Sequence, residues 1–358
     1  MNTPPCSSGA SPLYEGGKIG IYGGSFNPPH LGHLAASLFF AASLALDKLL
    51  IVPAGDPPLK QACLVSGEDR LELCRRTFPF PVSGMELRRP GVSYTIDTLR
   101  ALRGQYPHAR LFLLIGEDQR EKFHQWKDWR EILALAELVT LPRSGEGQNG
   151  FIPLDISSTQ LRLRLLCGED CSQWLAPEAL AYINEKRLYQ PMTPKRLHHC
   201  KCVAEAAEAL AVRYGADSVK ARLAGLLHDC AKAMPFEAQE ALCARYGKPL
   251  GAQALAAPGA CHAFAGEAFL ALECGVTDPE ILSAVRWHTL GRADMGLLEE
   301  VVFVADLISE DRHYPDAEHV RMLAKQDLHA ASQYILEYKE RLYAAAGASQ
   351  GRRGHPGQ

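Results

Sequence analysis

Short apolar runs alternate with longer amphipathic segments along the first half of the chain, whereas the second half keeps only the long segments. A short apolar run bounded by Gly or Pro is typical of a buried strand, and a long Ala/Leu-rich segment is typical of a helix. The first half therefore predicts strands alternating with helices, an arrangement that forms a parallel sheet covered on both faces. The predicted strands lie near residues 19–22, 47–53, 111–116, 137–142 and 151–156.

Beyond residue 195 the strand pattern disappears, and helical segments follow one another along the chain. Pro191 and Pro194 separate the two patterns, so we place a domain boundary at residue 190. The expected organisation is a flexible tail over residues 1–17, an α/β domain over 18–190, an all-α domain over 191–346 and a disordered tail over 347–358. The predicted helices of the second domain cover residues 198–214, 218–232, 237–246, 262–274, 279–288, 297–309 and 317–345.

Charge, apolar runs and cysteine spacing bear on which classes of protein are excluded. The chain has 358 residues and a formal net charge of −3, and neither half is basic enough to indicate a nucleic-acid partner. No apolar run approaches the roughly 18 residues of a membrane span, and the N-terminus lacks the pattern of a secretory signal. The 11 cysteines form no CxxC pair, which favours reduced thiols in a cytoplasmic protein. The oligomeric state stays open.

One stretch near the start of the chain contains candidate ligand-binding residues. The first predicted strand leads into Gly23, Gly24 and Ser25, and after two prolines His30 and His33 stand at the entrance to a helix. Glycines let the backbone turn tightly or let a ligand approach closely. The free N–H groups at a helix N-terminus attract anions, and a spacing of three places both imidazoles on one face of the first turn. The stretch predicts a phosphate site without the lysine of a P-loop.

This stretch resembles the GGxFxPxHxGH signature of nucleotidyltransferases, and most closely that of the nicotinate mononucleotide adenylyltransferases. The resemblance covers residues 18–189. It implies a Rossmann-like fold, ATP with Mg²⁺ as the nucleotide donor, nicotinate mononucleotide as the acceptor, and His30 and His33 as catalytic contacts to the triphosphate. Many members have Asp where this chain has Asn27, which keeps an acceptor oxygen without the charge. The alternative is a related enzyme with another acceptor, such as a pantetheine-phosphate adenylyltransferase.

Four further segments resemble motifs of the same family. Residues 93–99 resemble SYTxDTL, which lies near the nicotinate, and residues 115–118 resemble the GxD segment whose Asp contacts a ribose. Residues 123–129 resemble the segment whose tryptophan stacks on the pyridine ring, and residues 156–162 resemble the phosphate-binding ISSTxxR motif. Lys60 either reaches a phosphate or is a solvated loop lysine. The implied substrate and ATP contacts are Gly23, Gly24, Ser25, Thr95, Asp118, Trp126, Ser157, Ser158 and Arg162.

Histidines are concentrated in the second half, where nine of the 13 lie beyond residue 190. Imidazoles together with carboxylates suit Fe, Mn, Zn, Ni or Co, and sequence alone does not distinguish Fe from Mn. Four imidazoles and two carboxylates are too many ligands for one tetrahedral ion but suit two ions that share a bridge. The candidate ligands are His199, His228, Asp229, His262, His288 and Asp306.

This ordered set resembles the HD-domain metal-dependent phosphohydrolases. It is more similar still to the bacterial family that hydrolyses diadenosine tetraphosphate symmetrically to two ADP, with likeness over residues 192–344 and an RxxH start at Arg196. The resemblance implies two irons bridged by Asp229 and a bifunctional fusion enzyme. The alternative is a helical module kept for binding or regulation. The candidate phosphate contacts are Lys232, Arg292 and Arg312.

Overall fold

The computed structural model describes residues 17–55, 65–141 and 151–351. Lys60, the predicted N-terminal tail up to residue 16, and residues 352–358 lie outside the described residues. The chain forms two compact units. The first contains residues up to Arg162 together with Asp170–Tyr189, and the second contains Leu163–Glu169 together with the chain from Gln190.

Four parallel strands form the sheet of the first unit among its described residues: β1 (Lys18–Gly24), β2 (Lys48–Pro53), β3 (Arg110–Gly116) and β4 (Ala136–Leu141). Their order is β2-β1-β3-β4, so the chain turns to one side after β1 and to the other side after β2. Ligands of such sheets bind beyond the carboxyl ends of the strands, at the point where the order reverses. The predicted α/β fold with a parallel sheet is confirmed.

Both faces of this sheet are buried, which explains the nearly continuous apolar runs. Ile19 and Ile21 pack into the core on one face, whereas Tyr22 and Phe112 pack into the core on the other. Successive side chains of a strand point to opposite faces, so both alternate sets must be apolar. At Gly20 a Cβ atom would lie 2.5 Å from the Leu46 side chain, so no larger residue fits there without a shift.

The predicted strand at residues 151–156 is wrong, because the structure has irregular extended chain there. Only the start of the segment is anchored, where the Phe151 ring packs 5.1 Å from the Phe39 ring. Ile152 is 69% exposed and Leu154 is 50% exposed, so the segment has no second buried face. Pro153 also lacks the N–H donor that pairing within a sheet requires.

The helices of the first unit pack beside the sheet, and one of them begins at Glu117, directly after β3 ends at Gly116. The helix predicted to start at His30 and His33 is confirmed, because the structure has a helix that begins at Leu31. The helices are α1 (Leu31–Ser43), α2 (Gly67–Thr77), α3 (Thr95–Gln105), α4 (Glu117–Glu121), α5 (Trp129–Leu135), α6 (Ser158–Leu166) and α7 (Pro177–Lys186), of which α6 ends within the second unit.

In its described part the second unit contains helices joined by turns and loops and no strand, which confirms the predicted all-α class. Its core includes Leu166 and Cys167 from the segment before residue 170, packed with apolar residues of the later helices. Among the described residues, no helix has the length and apolar character needed to cross a membrane. The helices are α8 (Pro194–Tyr214), α9 (Ser218–Leu227), α10 (Phe236–Arg245), α11 (Ala252–Ala256), α12 (Cys261–Glu273), α13 (Pro279–Trp287), α14 (Leu297–Ile308), α15 (Ala317–Gln326) and α16 (Leu328–Gly351).

Two predicted helices differ from the structure. The helix predicted over residues 218–232 ends at Leu227, because the chain continues as consecutive turns with N–H to C=O bonds between residues three apart. The helix predicted over residues 317–345 is two helices separated by Asp327, whose extended backbone ends α15. The Asp327 carboxylate then accepts the Ala330 N–H at 2.9 Å and caps α16.

The last helix extends past residue 347, where the C-terminal tail was predicted to start. Helix α16 continues to Gly351, four residues past Gly347. The alanines that precede and follow Gly347 have the highest helix propensity, which compensates for the glycine.

Candidate active sites

His30 and His33 form a reciprocal cap at the start of α1. The Nδ1 atom of His30 accepts the His33 N–H at 3.4 Å, and the Nδ1 atom of His33 accepts the His30 N–H at 3.2 Å. The two rings stack with centroids 3.7 Å apart. Because Nδ1 accepts in both neutral rings, the proton lies on Nε2. Both histidines therefore present an N–H donor, which suits phosphate oxygens.

A buried arginine that the sequence reading missed anchors the loop before these histidines. Arg70 donates from Nη1 to the carbonyl of Ser25 at 2.8 Å and from Nη2 to the carbonyl of Ala54 at 2.9 Å. It therefore ties together the segments that follow β1 and β2. A Cβ atom at Gly24 would lie 3.1 Å from the Phe26 ring, which explains the glycine at this close approach.

The predicted phosphate-binding motif on α6 contacts the same loop. Ser158 donates from Oγ to the carbonyl of Pro28 at 2.8 Å, and Arg162 donates from Nη1 to the carbonyl of Asn27 at 2.6 Å. The Asn27 side-chain oxygen accepts the Tyr189 hydroxyl at 2.8 Å, a contact that a neutral amide can make. The structure therefore brings both predicted phosphate motifs together.

The remaining predicted contacts of the first unit lie at the ends of its elements. Thr95 is the first residue of α3, Asp118 lies in the first turn of α4 directly after β3, and Ser157 accepts the Gln160 N–H at 3.2 Å beside α6. Lys127 places its ammonium 4.4 Å from the centre of the Tyr94 ring, next to the start of α3.

Trp126 is half-buried, and its ring centroid lies 5.3 Å from that of Phe123. Lys127 is its neighbour in the chain, so the contact of Lys127 with Tyr94 brings the tryptophan segment beside the start of α3. The two segments predicted to surround the pyridine ring are therefore neighbours.

In the second unit, four buried histidines are held in one tautomer. The Nδ1 atoms of His228, His262 and His288 each donate to the carbonyl three residues earlier, at 2.7–2.8 Å. The Nδ1 atom of His199 instead donates to the Asp311 carboxylate at 2.7 Å. The Nε2 atom of each ring therefore faces the cluster, and in a neutral ring it carries the lone pair that binds metals.

Asp229 belongs to two groups of candidate ligands. It lies with His199 and His228 in one group and with His262 and His288 in the other, and within each group all ligand atoms lie within 4.8 Å of one another. Its Oδ1 atom lies 2.8 Å from Nε2 of His262, and its Oδ2 atom lies 3.5 Å from Nε2 of His228. One carboxylate can therefore serve two ions.

These residues fit a metal centre. The Nε2 atom of His228 and the Oδ1 atom of Asp229 are buried and have no hydrogen-bond partner among the described residues. A buried polar atom without a partner is costly unless something else, such as an ion, satisfies it. Burial lowers the pKa of His262 and lowers that of His288 to about 4, so both rings stay neutral and able to bind metal.

Cations surround the carboxylates of this cluster. Arg196 donates to Oδ2 of Asp229 at 2.6 Å, and Arg312 donates to Oδ1 of Asp306, which lies 3.1 Å from Nε2 of His199. The ammonium of Lys232 lies 3.7 Å from Oδ1 of Asp229. The structure therefore places two of the three predicted phosphate contacts at the cluster.

Arg292, the third predicted phosphate contact, has another partner. It donates to the buried Glu299 carboxylate from Nε at 2.9 Å and from Nη2 at 2.8 Å. Two further residues of the cluster were missed. Thr289 lies with its Oγ1 atom 2.8 Å from Nε2 of His288, and Asp311 binds His199. Their closeness in sequence to the candidate ligands His288 and Asp306 was the only signal in the sequence.

Comparison with known proteins agrees with the division of the chain into an α/β unit and a helical unit. The Cytidylyltransferase-like family model matches residues 21–164. A protein named "Probable nicotinate-nucleotide adenylyltransferase" from Opitutus terrae is 38% identical over 192 residues, which cover 49% of this chain and 98% of that protein. The chain belongs to the nicotinate-nucleotide adenylyltransferase family. A protein of the same name from Shouchella clausii is 35% identical and covers 48% of this chain and 96% of its own length.

This member of the adenylyltransferase family also contains an HD domain in its second half. The HD domain model matches residues 196–311, a range that includes all six candidate metal ligands. A solved structure titled as a predicted HD superfamily hydrolase involved in NAD metabolism, from Clostridium acetobutylicum, is 32% identical. It covers 44% of this chain and 83% of its own length with a TM-score of 0.43.

Proposed function

We propose that the first unit transfers AMP from ATP to nicotinate mononucleotide, giving nicotinate adenine dinucleotide and pyrophosphate. The observation that carries this proposal is the meeting of the His30–His33 pair with Ser158 and Arg162 around one loop beyond β1. The names of the relatives support the acceptor. The predicted Thr95 and Trp126 segments, which lie side by side, support a flat aromatic ring near α3.

The reaction needs positioning more than covalent chemistry. A phosphate oxygen of the acceptor attacks the α-phosphorus of ATP, and the bond to the bridging oxygen breaks to release pyrophosphate. Charge develops on the phosphoryl oxygens, so fixed donors stabilise the transition state. The two Nε2–H groups and the N-terminus of α1 supply such donors, Arg162 and Ser158 hold the leaving pyrophosphate, and Mg²⁺ accompanies ATP.

Substituting His33 tests this proposal in the full chain. His33→Ala should lower the kcat of adenylyl transfer by about 10²–10³-fold, since one donor to the developing charge is lost. His108→Ala, at an exposed histidine outside all the motif segments, is the matched control. Wild-type protein should prefer nicotinate mononucleotide over the nicotinamide form in kcat/KM. Near-normal transfer by His33→Ala, or a reaction with phosphopantetheine alone, would contradict the proposal.

We propose further that the second unit is a metal-dependent phosphohydrolase acting on dinucleoside polyphosphates, with diadenosine tetraphosphate cleaved to two ADP. The observation that carries it is the shared position of Asp229 between two groups of histidines. His199, His228, His262, His288, Asp229 and Asp306 would hold two transition-metal ions, for which iron is our proposal. Such ions supply an activated water and offset phosphate charge.

The residues around the cluster have clear roles in that reaction. The ammonium of Lys232 and the guanidinium of Arg312 stand beside the ligands and can bind the polyphosphate chain as it approaches. The carbonyls and the Asp311 carboxylate hold the imidazoles in the tautomer that binds metal. Arg292, paired with Glu299, stays a candidate for a more distant phosphate.

Metal analysis and product analysis test the hydrolase. The isolated full chain should contain about two transition ions, and chelation should stop hydrolysis of diadenosine tetraphosphate. Asp229→Ala should lose metal and hydrolysis together while adenylyl transfer continues. The exposed Asp294→Ala is the control. Hydrolysis that survives exhaustive chelation, or metal binding without any turnover, would contradict this proposal; the second result would indicate a regulatory module.

A further inference from the structure

The four histidines of the second unit do not have equivalent partners behind them. Three of them donate Nδ1–H to neutral backbone carbonyls, whereas His199 donates to a carboxylate, that of Asp311, at 2.7 Å. A carboxylate behind a metal-binding imidazole fixes the ring and raises its basicity more than a neutral acceptor does. The ring of His199 is therefore the most strongly oriented of the four.

Asp311 is itself held in place. Its Oδ1 atom accepts the Ser309 hydroxyl at 2.8 Å, and its Oδ2 atom accepts His199 Nδ1–H. The same stretch of chain supplies Asp306, whose Oδ1 atom lies 3.1 Å from Nε2 of His199. One short segment at the end of α14 thus places a carboxylate on each side of a single imidazole.

The two halves of the cluster consequently differ in charge. The half that contains His199 and His228 has Asp306 and Asp311 close by in addition to the shared Asp229. Their charges are offset by Arg312, which pairs with Asp306, and by Arg196, which pairs with Asp229. The half that contains His262 and His288 has the ammonium of Lys232 at 3.2 Å from Nε2 of His262, and among the described residues its group of candidate ligands has no carboxylate besides the shared Asp229. The added carboxylates balance the guanidiniums in the first half, whereas the lysine in the second half opposes a divalent cation, so electrostatics favours the His199 half.

We infer that Asp311 is a positioning residue that makes the His199 half of the cluster the tighter of two unequal metal sites. This inference rests on the proposed metal centre of the second unit. It predicts stepwise loading, in which the first ion enters the His199 half and the second enters the His262 half.

Titration of the metal-free full chain with Mn²⁺, followed by the EPR signal of free Mn²⁺, measures both affinities. Wild-type protein should show two classes of site. Asp311→Asn is isosteric, and it can offer its carbonyl to His199 and its NH₂ group to the Ser309 hydroxyl. It should weaken the tighter class by about 10–100-fold and leave the other class nearly unchanged. His262→Ala should instead remove the weaker class.

Controls separate this inference from its alternatives. Glu310→Gln removes a neighbouring exposed carboxylate and should bind Mn²⁺ as wild type does. Wild-type affinities in both Asp311→Asn and Asp311→Ala would overturn the inference, as would an equal loss in both classes or a loss of helical circular dichroism in both variants. A wild-type chain that binds no Mn²⁺ would instead show that the proposed metal centre itself is wrong.

Discussion

Gly225 links the packing of the second unit to its candidate metal centre. A Cβ atom at this position would lie 2.9 Å from Cα of Ala204 and 3.1 Å from the carbonyl oxygen of Val203, so α9 could accept a methyl group only by moving away from α8. The carbonyl of Gly225 also accepts His228 Nδ1–H at 2.7 Å. Gly225→Ala should therefore disturb both the fold and the ligand.

The magnitude follows from two opposing effects. Replacing a helical glycine by alanine gains about 1 kcal/mol of helix propensity, while overpacking against backbone atoms costs about 1–3 kcal/mol. We expect the free energy of unfolding of Gly225→Ala to fall by about 1 kcal/mol, which shifts the midpoint of a domain of this size by about 2–4 °C. Displacement of the His228 partner should also weaken metal binding by about 10-fold.

Thermal unfolding by circular dichroism and metal titration measure the two effects. Gly104→Ala is the matched control, because Gly104 lies in the exposed part of α3 and a Cβ atom there meets nothing within 4 Å. That variant should gain up to about 1 kcal/mol. If Gly225→Ala were stabilised to the same degree and bound metal normally, the close packing of α8 on α9 would not position His228 as argued.

Two other side chains allow further tests. Arg70→Met should lower the free energy of unfolding, measured in urea, by about 2 kcal/mol, because the carbonyls of Ser25 and Ala54 lose their donors. The rate of adenylyl transfer should fall as well. Burial lowers the pKa of Lys339, whose ammonium donates to the carbonyl of Thr289, to about 8. The unfolded chain then binds more protons between pH 8 and about 10.5, so stability should rise with pH in that window. Lys339→Met should abolish this rise of stability with pH. A variant whose stability rises with pH as in the wild type would contradict the prediction.

The strands and the motif positions could be predicted because they depend on local pattern. The runs that became β1, β2 and β3 are apolar on both faces, and the glycines at the end of β1 and the histidines after it occur at fixed spacing. The segment at 151–156 has the same composition, but Pro153 and the lack of a second buried face exclude it from the sheet. Strand pairing depends on neighbours that the local pattern does not show.

The detailed chemistry could not be predicted because it depends on side-chain hydrogen bonds that the pattern of apolar and polar residues does not show. The consecutive turns that carry His228 and Asp229 replace residues 228–232 of the predicted helix, and the His228 side chain there bonds back to the Gly225 carbonyl. The partner of His199 lies 112 residues away, at Asp311.

The tautomers follow from the same contacts. In the first unit Nδ1 of His30 and His33 accepts and Nε2 donates, whereas in the second unit Nδ1 donates and Nε2 carries the lone pair. The same side chain is therefore suited to phosphate in one unit and to metal in the other.

One chain should carry two active centres that depend on different residues, and paired single variants of the full chain test this most directly. Each variant is assayed for adenylyl transfer to nicotinate mononucleotide, for hydrolysis of diadenosine tetraphosphate and for bound transition metal. We predict that His33→Ala loses only transfer, whereas Asp229→Ala loses metal and hydrolysis and keeps transfer. Loss of both activities in either variant, or hydrolysis that persists in Asp229→Ala without metal, would contradict the assignment of two separate centres.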